Sequence, residues 1–356
     1  MNDIKSKIET IIYDDGKNPF LSLRSILFLL SKLFGSIVSL RRNLYKRGVL
    51  KSFAPKAKVI SVGNITAGGT GKTPFTIYIS KLLIEKGYKP AVISRGYGGG
   101  LETTGGVVHD GNKILVSVKE AGDEPYLIAE KLEDVPVYVG SNRIKSAKLA
   151  TKNGADVLVL DDGFQHLKLK RDLEIILLDS DKPFGNGHLI PRGSLRDPLK
   201  YLSLGDIFIV TRSNSKKKLG SISEIPDRKM FRTDHKASIY DKDGNPCDLN
   251  SIKGRSVFAF SGIASNNRFR TSVEETGLTI KDFKEYEDHY QYGKQDIDGI
   301  TEFADECDFI VTTEKDFVKI KDMGIWENLL IIAIEIEFID KGFTSYFFEK
   351  LNRGIS

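Results

Sequence analysis

The chain has 356 residues, of which 40% are hydrophobic and 28% charged, so it is long and apolar enough for two globular domains. A net charge of +5 is too small to indicate a nucleic-acid partner by itself, and we expect none. The two cysteines, Cys247 and Cys307, form no CxxC motif and no disulfide framework, which favours a reducing compartment.

An apolar segment interrupted by charges occupies residues 20–40, FLSLRSILFLLSKLFGSIVSL. It is long enough to cross a bilayer, which takes about 20 apolar residues, but Arg24 and Lys32 would each cost about 2.5–3.5 kcal/mol at the bilayer centre. On a helix these two residues lie off an apolar stripe, which consists of Leu23, Leu27, Leu30, Phe34 and Ile37. A basic run follows, with Arg41, Arg42, Lys46 and Arg47.

This pattern predicts that residues 1–50 form a membrane-associating segment with a helix lying in the interface of an anionic membrane. A helix packed on its own domain is the first alternative. A true membrane span is the second, and the charge cost makes it the weaker of the two.

From residue 57 onward, short apolar runs rich in β-branched residues alternate with helical patterns. Such alternation indicates an α/β fold in which helices cover both faces of a parallel sheet. The predicted strands here are Val59–Val62, Ala91–Ser94, Val135–Val139, Val157–Leu160, Leu173–Leu178 and Ile207–Thr211, with helices such as Pro74–Lys86 and Glu124–Leu132 between them.

The first predicted strand leads into GNITAGGTGKTP, a glycine-rich loop that opens a helix. Loop N–H groups and a helix N-terminus form a site for phosphates, so we predict that the loop binds ATP. The predicted nucleotide-binding residues are Thr66, Ala67, Gly68, Gly69, Thr70, Gly71, Lys72 and Thr73. Lys72 is expected to reach the β- and γ-phosphates and Thr73 to hold Mg²⁺. The motif is a variant, because Thr66 stands where the strict P-loop pattern has glycine.

A pair of aspartates, Asp161 and Asp162, ends the strand predicted at Val157–Leu160. Acidic residues at the carboxyl end of a parallel strand lie in the ligand crevice, where Mg²⁺ bridges phosphates. We therefore predict that both belong to the metal site, one of them binding Mg²⁺ directly. A turn that merely ends the strand is the alternative.

Residues 51–212 are thus predicted to form a P-loop core, and residues 213–356 a smaller C-terminal α/β lobe. The polar, basic stretch SNSKKKLGS at 213–221 is typical of a hinge or surface loop. Strands are predicted at Ser256–Phe260, Phe309–Thr312 and Leu329–Ile334, and the segment Tyr240–Pro246 predicts a turn.

Taken together, these stretches resemble the tetraacyldisaccharide 4'-kinase family of lipid A biosynthesis. The resemblance covers residues 57 to 320 and rests on GNITAGGTGKTP, SRGYGG at 94–99, GDEP at 122–125, DDGFQHLKLKRDLEIILLD at 161–179, FGNGHLIPRGSLRDP at 184–198 and TTEKDFVKI at 312–320. DDGFQH after such a phosphate loop is highly specific. The helix at 20–40 is also similar to the family's membrane-associated element.

The resemblance implies ATP-dependent phosphorylation of the 4'-hydroxyl of a tetraacylated glucosamine disaccharide 1-phosphate. It further implies Mg²⁺ as cofactor, two lobes joined by a hinge, and a location at the cytoplasmic face of the inner membrane of a Gram-negative-type bacterium. Nothing in the sequence indicates a protein partner.

The resemblance also implies roles for single residues. Asp123 of GDEP matches the proposed catalytic base, paired with a histidine of the C-terminal lobe that we expect to be His289 in EDHYQY. We expect closure of the lobes to bring His289 to Asp123, while Lys72 steadies the phosphoryl group. The structural alternatives are a helix N-cap for Asp123 and an exposed or packed histidine for His289.

Three further residues lie in or beside the matched motifs. Arg143 and Arg196 are candidates for clamping substrate phosphates, because a guanidinium fork suits phosphate oxygens, and surface salt bridges are the alternative. His166 is a candidate substrate-binding residue or a packing residue, and the stretch 313–315 also lies in a matched motif. Asp197 stands where the family commonly has glutamate, so it is given no role.

Two other functions remain open at this stage. A membrane-bound P-loop switch or partitioning ATPase has a phosphate loop and an amphipathic helix as well, but it forms no phosphorylated lipid. A small-molecule kinase of the same fold would not depend on the membrane. The DDGFQH and GDEP stretches favour the lipid kinase.

Overall fold

The computed structural model describes residues 10–14, 16, 22–213, 225, 229–304 and 306–353. Its first part alternates strands and helices, as predicted. The elements are α1 (Leu23–Lys46), β1 (Lys58–Gly63), α2 (Lys72–Glu85), β2 (Pro90–Ser94), β3 (Gly106–His109), α3 (Val118–Ala121), α4 (Asp123–Lys131), β4 (Val137–Val139), α5 (Arg143–Lys152), β5 (Val157–Asp161), β6 (Leu173–Asp179), a 3₁₀ helix (Leu199–Leu204) and β7 (Ile207–Thr211).

The second part repeats this alternation. Its elements are β8 (Met230–Asp241), α6 (Leu249–Ile252), β9 (Ser256–Ser261), α7 (Asn266–Glu275), β10 (Thr279–Glu285), α8 (Lys294–Ala304), β11 (Phe309–Thr313), α9 (Glu314–Ile320), β12 (Leu329–Phe338) and α10 (Phe343–Arg353). Tyr240 and Pro246 form an antiparallel bridge, as the predicted turn between them requires. Apart from Ser213, the stretch predicted as a hinge at 213–221 lies outside the described residues.

Strand β1 lies inside the sheet, between β5 and β6. Ile60 is paired with Val159 on one side and Leu173 on the other, both in parallel register. The residues from Val59 to Gly63 are all buried, because helices cover both faces of the sheet. The central strand therefore holds the start of the glycine-rich loop rigidly.

The two lobes share one sheet of twelve strands, in the order β10-β9-β11-β12-β8-β7-β6-β1-β5-β2-β4-β3. Strand β8 connects them, since it pairs in parallel with β7 from Met230 and antiparallel with β12 along most of its length. The antiparallel pairs β8–β12 and β3–β4 are exceptions in an otherwise parallel sheet.

Helix α10 returns from the second lobe to the first. Phe343, Phe347 and Leu351 are buried in the same apolar cluster as Phe75 and Ile79 of α2. Helix α10 thus completes the core of the P-loop lobe. The division at 212/213 stays a prediction, and this contact adds residues 343–353 to the core of the first lobe.

Helix α1 packs on the first lobe with one face and leaves the opposite face uncovered. Leu27, Ser31, Gly35 and Arg42 are buried. Apolar side chains remain exposed at Leu23, Ile26, Leu29, Leu30, Leu33, Ile37 and Leu40. The predicted stripe is therefore divided, because Leu27 faces the protein whereas Leu23, Leu30 and Ile37 face outward. The interpretation of Arg42 as part of a membrane-facing basic run was wrong, because its side chain is buried in an ion pair with Asp197.

Candidate active site

The glycine-rich loop runs from the end of β1 to the start of α2. Gly68 and Gly71 have φ values of 111° and 84°, which favour glycine. A Cβ atom placed on Gly68 or Gly69 would meet no protein atom within 4 Å, so this side of the loop is open for a ligand. The other side is supported, because Asn64 Nδ2 donates to Thr70 Oγ1 at 2.9 Å and Thr211 Oγ1 donates to the Thr70 carbonyl at 3.1 Å.

Asp161 and Asp162 stand in different environments at the end of β5. Asp161 is buried and accepts hydrogen bonds from Thr76 Oγ1 at 3.3 Å and Ser94 Oγ at 3.1 Å. Burial, together with the charges of Glu124 and Asp162, raises the pKa of Asp161 to about 6. Asp162 leaves the strand with a φ of 51°, so its carboxylate turns towards a group of cations.

Three cationic residues converge on Asp162. Arg196 donates to both carboxylate oxygens, at 2.7 and 2.9 Å, and Lys72 Nζ lies 3.7 Å from Oδ1. Arg143 is buried and donates from Nη1 to the Asp162 carbonyl at 2.8 Å. Although burial alone raises the pKa of Asp162, Lys72 and Arg196 lower it well below its ordinary value.

These residues are compatible with a magnesium nucleotide. Mg²⁺ in phosphate sites is commonly held by one or two carboxylates, with phosphates and waters completing its coordination. Thr73 follows Lys72 at the start of α2, and Asp162 lies 3.7 Å from Lys72 Nζ, so the phosphates of a nucleotide bound at the loop would supply the other ligands. Within the described residues no three His, Cys, Asp or Glu side chains form a metal cluster of their own.

A second cluster lies where the two lobes meet. Asp123 is the first residue of α4 and is buried, and His289 belongs to the loop between β10 and α8. His289 Nδ1 lies 2.9 Å from Asp123 Oδ2 and 3.0 Å from Oδ1. Lys315 Nζ, on α9, is 3.7 Å from Asp123 Oδ2 and 3.2 Å from Glu124 Oε1.

The charges of this cluster stabilise one another. Burial by itself raises the pKa of Asp123, but the hydrogen bond to His289 and the charge of Lys315 outweigh it and lower the pKa. The same hydrogen bond raises the pKa of His289 against the opposing effects of burial and Lys315. Asp123 is thus an ionised carboxylate whose oxygens are held in place from the other lobe.

The profile of the tetraacyldisaccharide-1-P 4'-kinase family, LpxK, matches residues 23–352. The chain belongs to this family. It is 38% identical to the tetraacyldisaccharide 4'-kinase of Desulfatibacillum aliphaticivorans, over 99% of this chain and all of the relative. The corresponding enzyme of Syntrophus aciditrophicus is 41% identical, over 90% of this chain and 91% of its own length.

A solved structure of the LpxK family shares the fold. The Aquifex aeolicus protein, crystallised in complex with ATP, superposes with a TM-score of 0.78 at 31% identity and covers 94% of this chain and all of its own. The predicted α/β P-loop architecture is therefore confirmed.

The other predicted residues of this LpxK family member are Arg143 and Arg196, which both contact Asp162, and His166. His166 lies on the loop after β5, and burial, reinforced by Arg143, lowers its pKa to about 3. Its Nε2 and the Nε of Arg196 are buried and have no hydrogen-bond partner in the described part of the chain. Of the stretch 313–315, Lys315 Nζ lies 3.7 Å from Asp123 Oδ2, and the side chain of Thr313 caps α9.

The sequence analysis missed a buried ion pair of the second lobe, formed by Asp316 and Lys319. Asp316 is fully buried and accepts hydrogen bonds from Tyr292, Thr313 and the backbone of Gly262. Lys319 Nζ lies 2.8 Å from Asp316 and donates to the Tyr290 carbonyl at 3.1 Å. The spacing of Asp316 and Lys319 on one helix face was a signal for this pair.

Proposed function

We infer that the chain transfers the γ-phosphate of ATP to the 4'-hydroxyl of a tetraacyldisaccharide 1-phosphate, a late step of lipid A biosynthesis. Family membership supports the reaction, and one observation carries the site assignment. Asp123 and His289, from the two predicted lobes, are in hydrogen-bond contact. Glu124, the neighbour of Asp123, is close enough to Asp161 to raise the pKa of that carboxyl group.

In this proposal, residues 66–73 bind the phosphates of ATP through backbone N–H groups, and Lys72 contacts the β- and γ-phosphates. Thr73, Asp161 and Asp162 would hold Mg²⁺, which would supply positive charge to the transferring phosphoryl group. Arg196 keeps Asp162 oriented through its bidentate contact. The open side of Gly68 and Gly69 supports this assignment.

Asp123 acts as the general base. It accepts the proton of the 4'-hydroxyl while the hydroxyl oxygen forms a bond to the γ-phosphorus, and the bond from that phosphorus to the β-γ bridging oxygen breaks to release ADP. His289 orients the carboxylate through Nδ1. Because Asp123 is buried, water has little access to the same proton acceptor, which limits wasteful hydrolysis.

We propose that Arg143, His166 and Arg196 bind the acceptor lipid beside the metal site. The buried Nε2 of His166 and Nε of Arg196 support this role, because an unpaired buried polar atom is costly unless a ligand or a water satisfies it. Arg143 carries a positive charge to the same place, which favours a phosphorylated acceptor.

We further propose that the exposed apolar face of α1 rests on the cytoplasmic surface of the inner membrane. Helix α1 is long and apolar enough to cross a bilayer by length and composition alone. Its packed face, however, includes the buried cation Arg42, and that face is occupied by protein. The charged Lys32 and Arg41 are exposed as well, so an interfacial position satisfies both the apolar and the charged groups.

The decisive experiment measures transfer of labelled phosphate from γ-ATP to a tetraacyldisaccharide 1-phosphate in detergent micelles. The intact protein should form labelled lipid, and Asp123→Ala should lose most of this activity. Asp298→Ala, which removes an exposed carboxylate of α8, is the matched control and should be unaffected. If the intact protein hydrolyses ATP without labelling the lipid, the switch ATPase replaces the lipid kinase as the better proposal.

The membrane assignment has its own test, flotation with vesicles that contain anionic phospholipid. Replacing Ile26, Leu33 and Ile37 with serine should abolish flotation, because these side chains lie on the exposed face. Replacing the exposed Leu249 and Phe303 of the other lobe with serine should not. Equal flotation of the first variant and the intact protein would contradict the assignment.

A further inference from the structure

Arg42 is an arginine of helix α1 that is buried inside the protein. Its Nε lies 2.6 Å from Asp197 Oδ1, and the two side chains are only 5% and 2% exposed. Its Nη2 donates to the Phe164 carbonyl at 3.3 Å. The guanidinium also lies over the rings of Phe164 and Tyr201, 4.6 and 4.7 Å from their centroids.

Asp197 also contacts the loop that contains the DDGFQH sequence. Its second oxygen accepts a hydrogen bond of 2.9 Å from Gln165 Nε2, which also lies 3.0 Å from the Asn64 carbonyl. Asn64 follows β1 directly and is fully buried. A continuous line of polar contacts therefore runs from α1 to the start of the glycine-rich loop.

From Asn64, polar contacts extend to the glycine-rich loop and, through Arg196, to Asp162. Asn64 Nδ2 donates to Thr70 Oγ1 inside the loop, at 2.9 Å. Arg196 Nη2 donates to Asn64 Oδ1, and the same guanidinium holds both oxygens of Asp162. We refer to Arg42, Asp197, Gln165, Asn64 and Arg196 as the polar relay.

We propose that Arg42 is a positioning residue for nucleotide binding, acting through the polar relay on the phosphate loop and on Asp162. Helix α1 then has two separate functions on two faces: the exposed apolar face contacts the membrane, and the buried face supports the ATP site. The inference depends on the proposed function only for the identity of the nucleotide.

The energetics of the Arg42–Asp197 pair indicate that it orients neighbouring groups rather than only attaching α1 to the lobe. A buried ion pair adds little net stability, because removing two charges from water offsets their attraction, and an apolar pair would hold the helix equally well. The polar pair differs from an apolar one because its hydrogen bond is directional. This charge-assisted hydrogen bond sets the orientation of the Asp197 carboxylate, which in turn orients the Gln165 amide. The Gln165 amide contacts the Asn64 carbonyl, to which Arg196 Nη2 also donates at 3.4 Å.

The test is equilibrium binding of a fluorescent ATP analogue, with Mg²⁺ and without lipid, to the full chain in detergent. Gln165→Met leaves the Arg42–Asp197 pair intact but removes the link to Asn64, and should weaken binding about tenfold. Arg42→Met should weaken it to a similar extent. The double variant should bind about as weakly as either single one, because residues of one network are not additive. Lys46→Met, which removes an exposed charge from the last turn of α1, is the control and should bind normally.

Normal nucleotide affinity in Gln165→Met would overturn the proposal, even where Arg42→Met fails to fold. A double variant that binds the nucleotide about a hundredfold more weakly would also overturn the proposal. Such a loss is the product of the two single effects, as expected of independent sites, whose free energies add. A purely structural Arg42 would lower the melting temperature and leave the affinity of the folded protein unchanged. An intact protein that binds ATP but labels no lipid contradicts the lipid-kinase function and leaves this test in force.

Discussion

The carboxylate of Asp123, at the start of α4, lies 2.9 Å from Nδ1 of His289, which belongs to the other lobe. His289 takes a φ of 61°, a value that few residues other than glycine adopt. The ring of Tyr97, 5.2 Å from the imidazole centroid, packs against it from the first lobe. Two residues of the first lobe, Asp123 and Tyr97, thus contact an imidazole that the second lobe supplies.

The first prediction concerns catalysis by this pair. Asp123→Asn should reduce kcat by at least about 10²-fold, since a positioned base contributes about 10²- to 10⁴-fold to the rate. His289→Asn should reduce kcat less, because it removes only the group that orients the base. Single-turnover phosphate transfer at saturating ATP measures both. Asp298→Asn is the control, because its carboxylate is exposed on α8. A kcat of His289→Asn equal to that of the intact protein would show that the pair is not catalytic.

The second prediction is the direction of the pH dependence of transfer. The pKa of Asp123 is lowered, so this base is ionised throughout the neutral range, whereas the pKa of His289 is raised above 6.5. A neutral imidazole leaves Asp123 a stronger base than an imidazolium does. Transfer should therefore rise with pH through a midpoint above 6.5, and the inflection should be missing in His289→Asn. A falling rate over the same range would contradict the assignment of Asp123 as base.

The same shifts predict the opposite trend for stability. Because the pKa of His289 is raised, the pair stabilises the folded protein fully below the ordinary histidine value of 6.5, and this contribution disappears as pH rises through the raised pKa. The lowered pKa of Asp123 means that its side of the pair is lost only as pH falls below about 3.8. The difference in melting temperature between the intact protein and His289→Asn should be largest near pH 5 to 6 and shrink towards pH 9.

The sequence predicted those parts of the fold that local patterns determine. The strand Ile207–Thr211 was predicted with its observed bounds, and β1, β2, β5, β6, β9 and β11 to within one residue at each end. Strands β3, β8 and β10 were missed. Strand β10 shows why: it lies at the edge of the sheet beside β9, none of its residues is fully buried, and charged side chains interrupt its apolar pattern.

In the candidate site, too, local motifs were predicted from the sequence, whereas pairs of residues distant in sequence were not. The phosphate loop and the two aspartates are contiguous motifs, so spacing alone indicated them. Asp123 and His289 are 166 positions apart, and only the family resemblance brought them together. Arg42 could not be assigned from its pattern, because a basic run after an apolar helix is typical of a membrane surface, and its partner Asp197 is 155 positions away.

The third prediction concerns the buried pair behind His289. Asp316→Asn should lower the free energy of unfolding by about 3–5 kcal/mol, because Lys319 is left as a buried charge without its carboxylate. Chemical denaturation of the full chain measures this loss. The control is Glu349→Gln, which breaks the exposed pair with Arg353 on α10 and should cost less than about 0.5 kcal/mol. Equal effects of the two variants would contradict the role of Asp316 as the buried partner of Lys319.

The fourth prediction tests the contribution of the C-terminal helix to the first lobe. Phe347 is fully buried between α10 and the core of the P-loop lobe, so Phe347→Ala should cost about 3–5 kcal/mol of stability. The loss should appear in the first lobe: hydrogen exchange should increase in α2, which carries Phe75 and Ile79, and remain slow in β9 and β11. Phe303→Ala, at an exposed phenylalanine of α8, should leave both regions unchanged. If exchange instead increases only in the second lobe, α10 belongs energetically to that lobe, and the first lobe ends before it.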